Sequence, residues 1–192
     1  MLQKTHTKII QLFRKNHGYM NFEQLRNADV TVLQMREMEE EGALHRFARG
    51  WYWCSDCGLK KAADYRYIEI AKINPEAIIC LDSACFLNGL NVKEPEEIRV
   101  ATARDDRKKM EVEFPIKRYY LTYFDTGKYI QTKKTEFGSY RFFSMERALY
   151  DSFHAPGKLL AENADVIRAE YERNADRIRK YENYFRKMKH NH

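Results

Sequence analysis

Hydrophobic positions near the start of the chain recur at steps of three and four. Over residues 4–17, Ile9, Leu12 and Phe13 mark one face with Ile10 beside them, while Lys4, Lys8, Arg14 and Lys15 lie among polar neighbours. This predicts a first helix stopped by Gly18. Asn21 is placed to cap a second, short helix, with Gln24 at the capping-box position three residues on. A turn at Asn27-Ala28-Asp29 leads to a third helix over about 31–41, capped by Asp29 or Thr31 and ended by Gly42. On its wheel Met35 and Met38 share a face with Thr31, expected to point inward, while Leu33, Arg36, Glu37 and Glu40 point outward.

After Gly42 the period shortens. Ala43–Ala48 and Trp51–Cys54 are aromatic-rich runs joined around Arg49-Gly50, the pattern of a β-hairpin. Three helices and a hairpin within about 55 residues form the plan of a winged helix-turn-helix, whose third helix enters the major groove. Cys54–Gly58 reads as a boundary, giving a winged-helix domain over 1–57 and a second domain over 58–192.

In the second domain the pattern predicts a helix over 60–73 and a buried run, Ile78–Leu81. Asp82 is placed to cap a short helix, Ser83–Leu87, closed by Gly89. Strands follow at Ile98–Ala103, Ile116–Tyr123, Lys128–Thr132 and Tyr140–Phe143, and Ser144 caps a helix to Phe153. The last 33 residues carry Leu160, Ala164, Ile167, Tyr171, Ala175, Ile178, Tyr181, Phe185 and Met188 on one seam. They predict one long amphipathic helix, which either packs back on its own domain or pairs with another copy. The fold class is α+β, with an antiparallel sheet in the second domain.

Composition narrows the class. The 192 residues are 44% hydrophobic and 14% aromatic, enough for a packed core rather than disorder. No apolar run approaches the ~20 residues of a membrane span, and no leader pattern opens the chain, so a cytoplasmic protein is expected. Cys54, Cys57, Cys80 and Cys85 are read as buried thiols rather than disulfides, with a four-sulfur zinc site as the alternative. No metal or cofactor is expected. Phosphate-loop, zinc-helix and nucleophile-turn motifs are missing, which argues against an enzyme.

The formal charge of +6 is unevenly spread. Residues 1–58 hold eight basic and seven acidic side chains, and the remainder holds 26 and 21. DNA contact therefore depends on placed residues rather than on bulk charge. Arg46 and Arg49 bracket the hairpin tip, Arg36 and Gln34 can pair with base edges, and Lys4 and Lys8 suit phosphates. Thr31 stands at the start of the reading helix. Glu37, Glu39, Glu40 and Glu41 oppose DNA unless they lie at the far end of that helix. Elsewhere Tyr119-Tyr120, Tyr123-Phe124 and Tyr129 interleave with Lys and Arg, a pattern that suits stacking on unpaired bases or a half-buried sheet.

The segment Gly42-Ala43-Leu44-His45-Arg46-Phe47-Ala48-Arg49-Gly50-Trp51-Tyr52 resembles the winged helix of the AbiEi antitoxins of type IV toxin–antitoxin (abortive infection) systems. Ser83-Ala84-Cys85-Phe86-Leu87-Asn88-Gly89-Leu90 resembles that family's Ser-Ala-x-x-Leu-x-Gly-Leu segment, with Asn88 where His is frequent. Glu146-Arg147-Ala148-Leu149-Tyr150-Asp151 resembles its later Glu-Arg-x-Leu-x-Asp helix. The resemblance implies a repressor of its own operon that binds operator inverted repeats, as a monomer or weak dimer pairing on DNA. It also implies an antagonist of a nucleotidyltransferase-like toxin that needs no stable complex with it. Arg36, Arg46 and Arg49 then inherit DNA contact, while Ser83, Gly89, Leu90, Arg147 and Asp151 are motif positions. The alternatives are a winged-helix regulator whose second domain senses a ligand or protein, and a nucleic-acid-processing enzyme.

Overall fold

A computed structural model describes residues 2–122 and 127–190. The chain is α+β and packs as two compact units. The first comprises Met1–Ile73 with two later pieces, Lys109–Glu113 and Lys134–Ser139, and the second comprises the rest. Among the described residues no helix is long and apolar enough to cross a membrane.

The first unit runs α1 (Gln3–Lys15), β1 (Tyr19–Asn21), α2 (Phe22–Asn27), α3 (Val32–Glu40), β2 (Leu44–Ala48), β3 (Trp51–Cys54) and α4 (Tyr65–Ile73). The expected capping box on α2 is present, with Asn21 and Gln24 exchanging bonds. A second box caps α3: the Thr31 hydroxyl accepts the Gln34 N–H, and the Gln34 side chain accepts the Thr31 N–H. Thr31 is exposed rather than inward, because its hydroxyl must meet free helix N–H groups. Sequence periodicity misses β1, which has only three residues. It pairs antiparallel with β3, and β3 with β2, giving the sheet order β1-β3-β2.

Alternation sorts this sheet into two faces. Met20, Leu44, Tyr52 and Cys54 join Ile9, Phe13, Leu25, Met35 and Met38 in a core beneath α1–α3. On the opposite face Tyr19 contacts Phe47 and Trp53, and Phe47 contacts Trp51. That face is covered within the same unit. Lys61 ion-pairs with buried Glu69 at 2.6 Å and lies over the rings of Phe47, Trp53 and Tyr65. Tyr19 donates to Glu69, and Lys72 lies over Tyr19 and Trp51. Phe137 reaches Trp53, while Val112 bridges to Ala48. The sequence boundary at residue 57 therefore falls short of this unit's end: α4 and two distant pieces belong to it. Gly18 is the tightest point, with φ +81°, where a Cβ would run into the Trp53 ring.

The second unit contains β4 (Ile78–Ile79), α5 (Leu81–Leu87), β5 (Ile98–Ala103), β6 (Ile116–Leu121), β7 (Ile130–Thr135) and β8 (Gly138–Phe143). It ends in α6 (Met145–Phe153), α7 (Ala164–Arg173) and α8 (Ala175–His190). The turn of the β7–β8 hairpin is the piece assigned to the first unit. The sheet order is β6-β5-β4-β8-β7, and the sheet is mixed rather than antiparallel. β5 runs parallel to β6, β4 antiparallel to β5, and β4 parallel to β8. Neither parallel pair is joined by a hairpin: residues 104–115 carry the chain from β5 to β6, and α5, β5, β6 and β7 intervene between β4 and β8. The expected strand end at Tyr123 and the Tyr123-Phe124 pair lie outside the described residues.

The expected single last helix is two. Asn174 ends α7, its side-chain amide bonding to the Glu170 carbonyl, and α8 starts at the next residue. Ile167, Ile178 and Tyr181 of the apolar seam are fully buried, and Tyr181 meets Tyr129 and Tyr150. The seam thus packs within its own unit. The helix expected over 60–73 begins only at Tyr65.

Candidate nucleic-acid interface

In the first unit the residues expected to touch DNA are mostly exposed, but several are occupied. Lys4 and Lys8 stand in solvent on α1, and Arg46 and Arg49 stand in solvent on the hairpin. Between His45 and Ala48 the register shifts, which marks a bulge in β2. A bulge re-aims the side chains around it. Here Arg46 is exposed while the next residue, Phe47, is buried against Tyr19. Gly50, at φ +74°, closes the two-residue turn, and its carbonyl accepts the Phe22 N–H at the start of α2.

On α3 the occupancy is clearer. Arg36 is paired with Glu40 at 2.9 Å, and the Gln34 oxygen is held by the Thr31 N–H at 2.8 Å. Both would have to release these bonds to reach a base. Leu33, expected to point outward, and Val32, not among the expected DNA contacts, are 65% and 57% exposed on the same helix. They could offer methyl contacts to thymine. Glu37, Glu39, Glu40 and Glu41 all fall in the C-terminal half, so the stretch from Thr31 to Arg36 bears no carboxylate. No basic residue offsets them in the last turn.

The motif residues of the second unit are bound up in its packing. Ser83 is fully buried, and its hydroxyl accepts the Arg99 N–H at 3.0 Å. Asp82, expected as a cap, lies inside the first turn of α5 and ties elements together. It accepts the Ser83 N–H at 3.1 Å and the Leu160 N–H at 2.9 Å, and it pairs with Arg99 at 3.6 Å. Gly89 and Leu90 form the exit of α5: Gly89 N–H bonds to Phe86 and Leu90 N–H to Cys85, a Schellman motif. Gly89 sits at φ +77° with open space around it, so backbone conformation alone calls for glycine. Arg147 pairs with Asp151 at 3.3 Å, and its guanidinium covers the Phe143 ring at 3.5 Å.

Arg147 and Asp151 also line a cleft of about 420 Å³. Its other walls include Tyr119 and Tyr120 of β6, His154 at the end of α6, Lys158, and Phe185 and Lys189 of α8. Leu81 lines it too, with a left-handed φ of +51° that is unusual for leucine. Burial pushes the Asp151 carboxyl up against the pull of Arg147. Burial also raises the Cys80 thiol in the cleft wall, which makes it a poor nucleophile. Sequence periodicity could not collect these residues, because they come from five separate segments.

All four cysteines are free and buried, and Cys57 Sγ donates to the Cys54 carbonyl at 3.0 Å. Among the described residues no three His, Cys, Asp or Glu side chains are grouped to hold a metal ion. His45 pairs with Glu113 at 2.5 Å. Comparison with known proteins finds no family model matching the chain and no curated protein matching it.

Proposed function

We propose that the chain is a DNA-binding transcriptional regulator whose first unit is a winged helix-turn-helix. The observation that supports this is its connectivity: three helices with β1 between the first two, then a hairpin, in a sheet of order β1-β3-β2. In this reading α3 is the groove helix and the Arg46–Arg49 hairpin is the wing. The carboxylate-free start of α3 suits a helix whose N-terminal residues meet base edges. The ordered motifs from Gly42 to Asp151 support the narrower reading of an AbiEi-type autorepressor and antitoxin in the cytoplasm. Such a protein would recognise operator inverted repeats and oppose a nucleotidyltransferase-like toxin without a stable complex. A ligand-sensing regulator with no toxin is the second reading, and the cleft between α6, α8 and β6 favours it.

Gel shifts on the DNA upstream of the protein's own gene, at two salt concentrations, test the DNA claim. The double variant Arg46→Ala/Arg49→Ala is expected to bind more weakly and to lower the salt slope by up to ~2. Unchanged affinity and slope would remove the wing assignment. Co-expression with the product of an adjacent nucleotidyltransferase gene tests the antitoxin reading, with restored growth expected.

A further inference from the structure

We propose that the cleft of the second unit binds a nucleoside monophosphate. The argument starts from charge. Among the described lining residues Arg147, Lys158 and Lys189 are cationic, and Asp151 is the one carboxylate. Arg147 already pairs with that carboxylate. Counting charges over the walls leaves an excess of two positives, which is the charge of a phosphate monoester dianion. The cations arrive from three segments, α6, the turn after it and the end of α8, so they can surround a compact anion rather than stud a flat surface.

The rest of the cleft is aromatic. Tyr119, Tyr120 and Phe185 contribute ring surface, and Tyr120 is 54% exposed. The Lys158 ammonium lies 5.2 Å from the Tyr119 ring centre and the Lys189 ammonium 4.5 Å from that of Phe185. A cation–π contact is weaker than a charge-assisted hydrogen bond to phosphate. A bound phosphate therefore draws the lysines off these rings and leaves ring faces for a nucleobase to stack on. A cavity of about 420 Å³ lies within the ordinary size of small-molecule sites. Inorganic phosphate would leave the aromatic walls unused, and a neutral nucleoside would leave the charge unmatched. The Asp151 carboxylate and the Thr122 hydroxyl supply polar partners for ribose or base. This inference does not depend on the DNA reading, since every residue it uses belongs to the second unit.

Calorimetric titration of the full-length protein tests the proposal, using AMP, GMP, CMP and UMP separately. Adenosine, inorganic phosphate and a 5′-phosphorylated tetranucleotide are run as further probes. At least one monophosphate is expected to bind well below ~1 mM and more tightly than either adenosine or phosphate. Lys158→Gln and Lys189→Gln, both surface changes that spare the core, are each expected to weaken binding about tenfold. Lys60→Gln, on the first unit, should leave it unchanged. Tighter binding of the tetranucleotide, lost in the same two variants, supports the same site taking its nucleotide as a strand end. No binding of any monophosphate at ~1 mM overturns the proposal. So does binding of bare phosphate as tight as that of the monophosphates, or affinity untouched by both lysine changes.

Discussion

Arg46 and Arg49 of the first unit and Ser83, Gly89, Leu90 and Arg147 of the second all lie in the segments that carry the resemblance, yet they live in opposite surroundings. The two hairpin arginines stand in solvent, and the fold asks little of them. Ser83 and Arg147 are buried, and Gly89 with Leu90 ends a helix. A motif residue with no structural duty is a candidate for contact with a partner. Ser83, engaged in packing, and Gly89 with Leu90, engaged in ending a helix, are explained by the fold alone, and their part in function runs through the shape they maintain. In the second unit the chemistry sits instead at Lys158, Lys189 and the tyrosines of β6, outside the motifs apart from Arg147 and Asp151.

The contrast can be broken by stability measurements. Asp82→Ala removes the acceptor for Leu160 and a partner of nearly buried Arg99, and it is expected to cost about 3–5 kcal/mol in urea unfolding. A loss below ~1 kcal/mol would mean that the motif helix is not the tie described. Gly18→Ala in the first unit combines a left-handed backbone with a clash against Trp53, for an expected loss of about 3 kcal/mol. Gly89→Ala has the same sign of φ but open space, so about 1 kcal/mol is expected. If the two glycines cost the same, the Trp53 contact has no energetic weight.

Acid titration sharpens the same comparison, because a buried carboxyl, Glu69, and a partly buried one, Asp106, shift in opposite directions. Burial raises Glu69 above the ordinary carboxylate value, despite Lys61 and Tyr19. Its folded form holds a proton more tightly than its unfolded form, so the stability it contributes is full below about 4.5 and falls as pH climbs through the raised value. Burial also acts to raise Asp106, but bonds from the Lys108 N–H and Asn74 and the charge of Arg118 outweigh it and hold the carboxyl below 3.8. Its contribution is full above 3.8 and disappears as pH falls through the lowered value. Wild-type stability relative to Glu69→Gln should therefore decline with rising pH above 4.5. Relative to Asp106→Asn, it should decline with falling pH below 3.8. Parallel curves would show that the two surroundings do not differ as described. The smallest expected effect is that of Arg46→Ala with Arg49→Ala on thermal unfolding, within ~0.5 kcal/mol, although DNA affinity should fall. A larger loss would return these arginines to the fold.

Much of the local structure is legible in the sequence. The capping box at Asn21, the hairpin around Arg49-Gly50, and β5 follow from turn chemistry and period, while the third helix offers Asp29 and Thr31 as alternative caps and takes Thr31. The extent of the first unit does not, although a signal was present. Trp51, Tyr52, Trp53 and Cys54 are apolar on both faces of one strand, and such a strand must be covered twice. What covers the second face comes from Lys61, α4 and Phe137, and no local period announces so distant a partner. The parallel pairing of β5 with β6 escaped for the same reason, since alternation fixes faces but not strand direction. Among the candidate site residues, Gln34 and Arg36 were legible by type. Their engagement with Thr31 and Glu40 depends on helix geometry at a spacing that also fits free side chains. The cleft lysines were visible only as members of charge runs.

The two late pieces of the first unit, Lys109–Glu113 and Lys134–Ser139, bear on how the protein is made. A ribosome adds roughly 5–20 residues each second, and Phe137 follows Ile73 by more than sixty positions. For several seconds the nascent first unit waits with Trp53 short of one of its neighbours. Translation speed over that interval, and any chaperone that shields a bare indole ring, therefore bear on the yield of folded protein. Cutting the gene at either the residue-57 or the residue-73 boundary leaves that wait without an end.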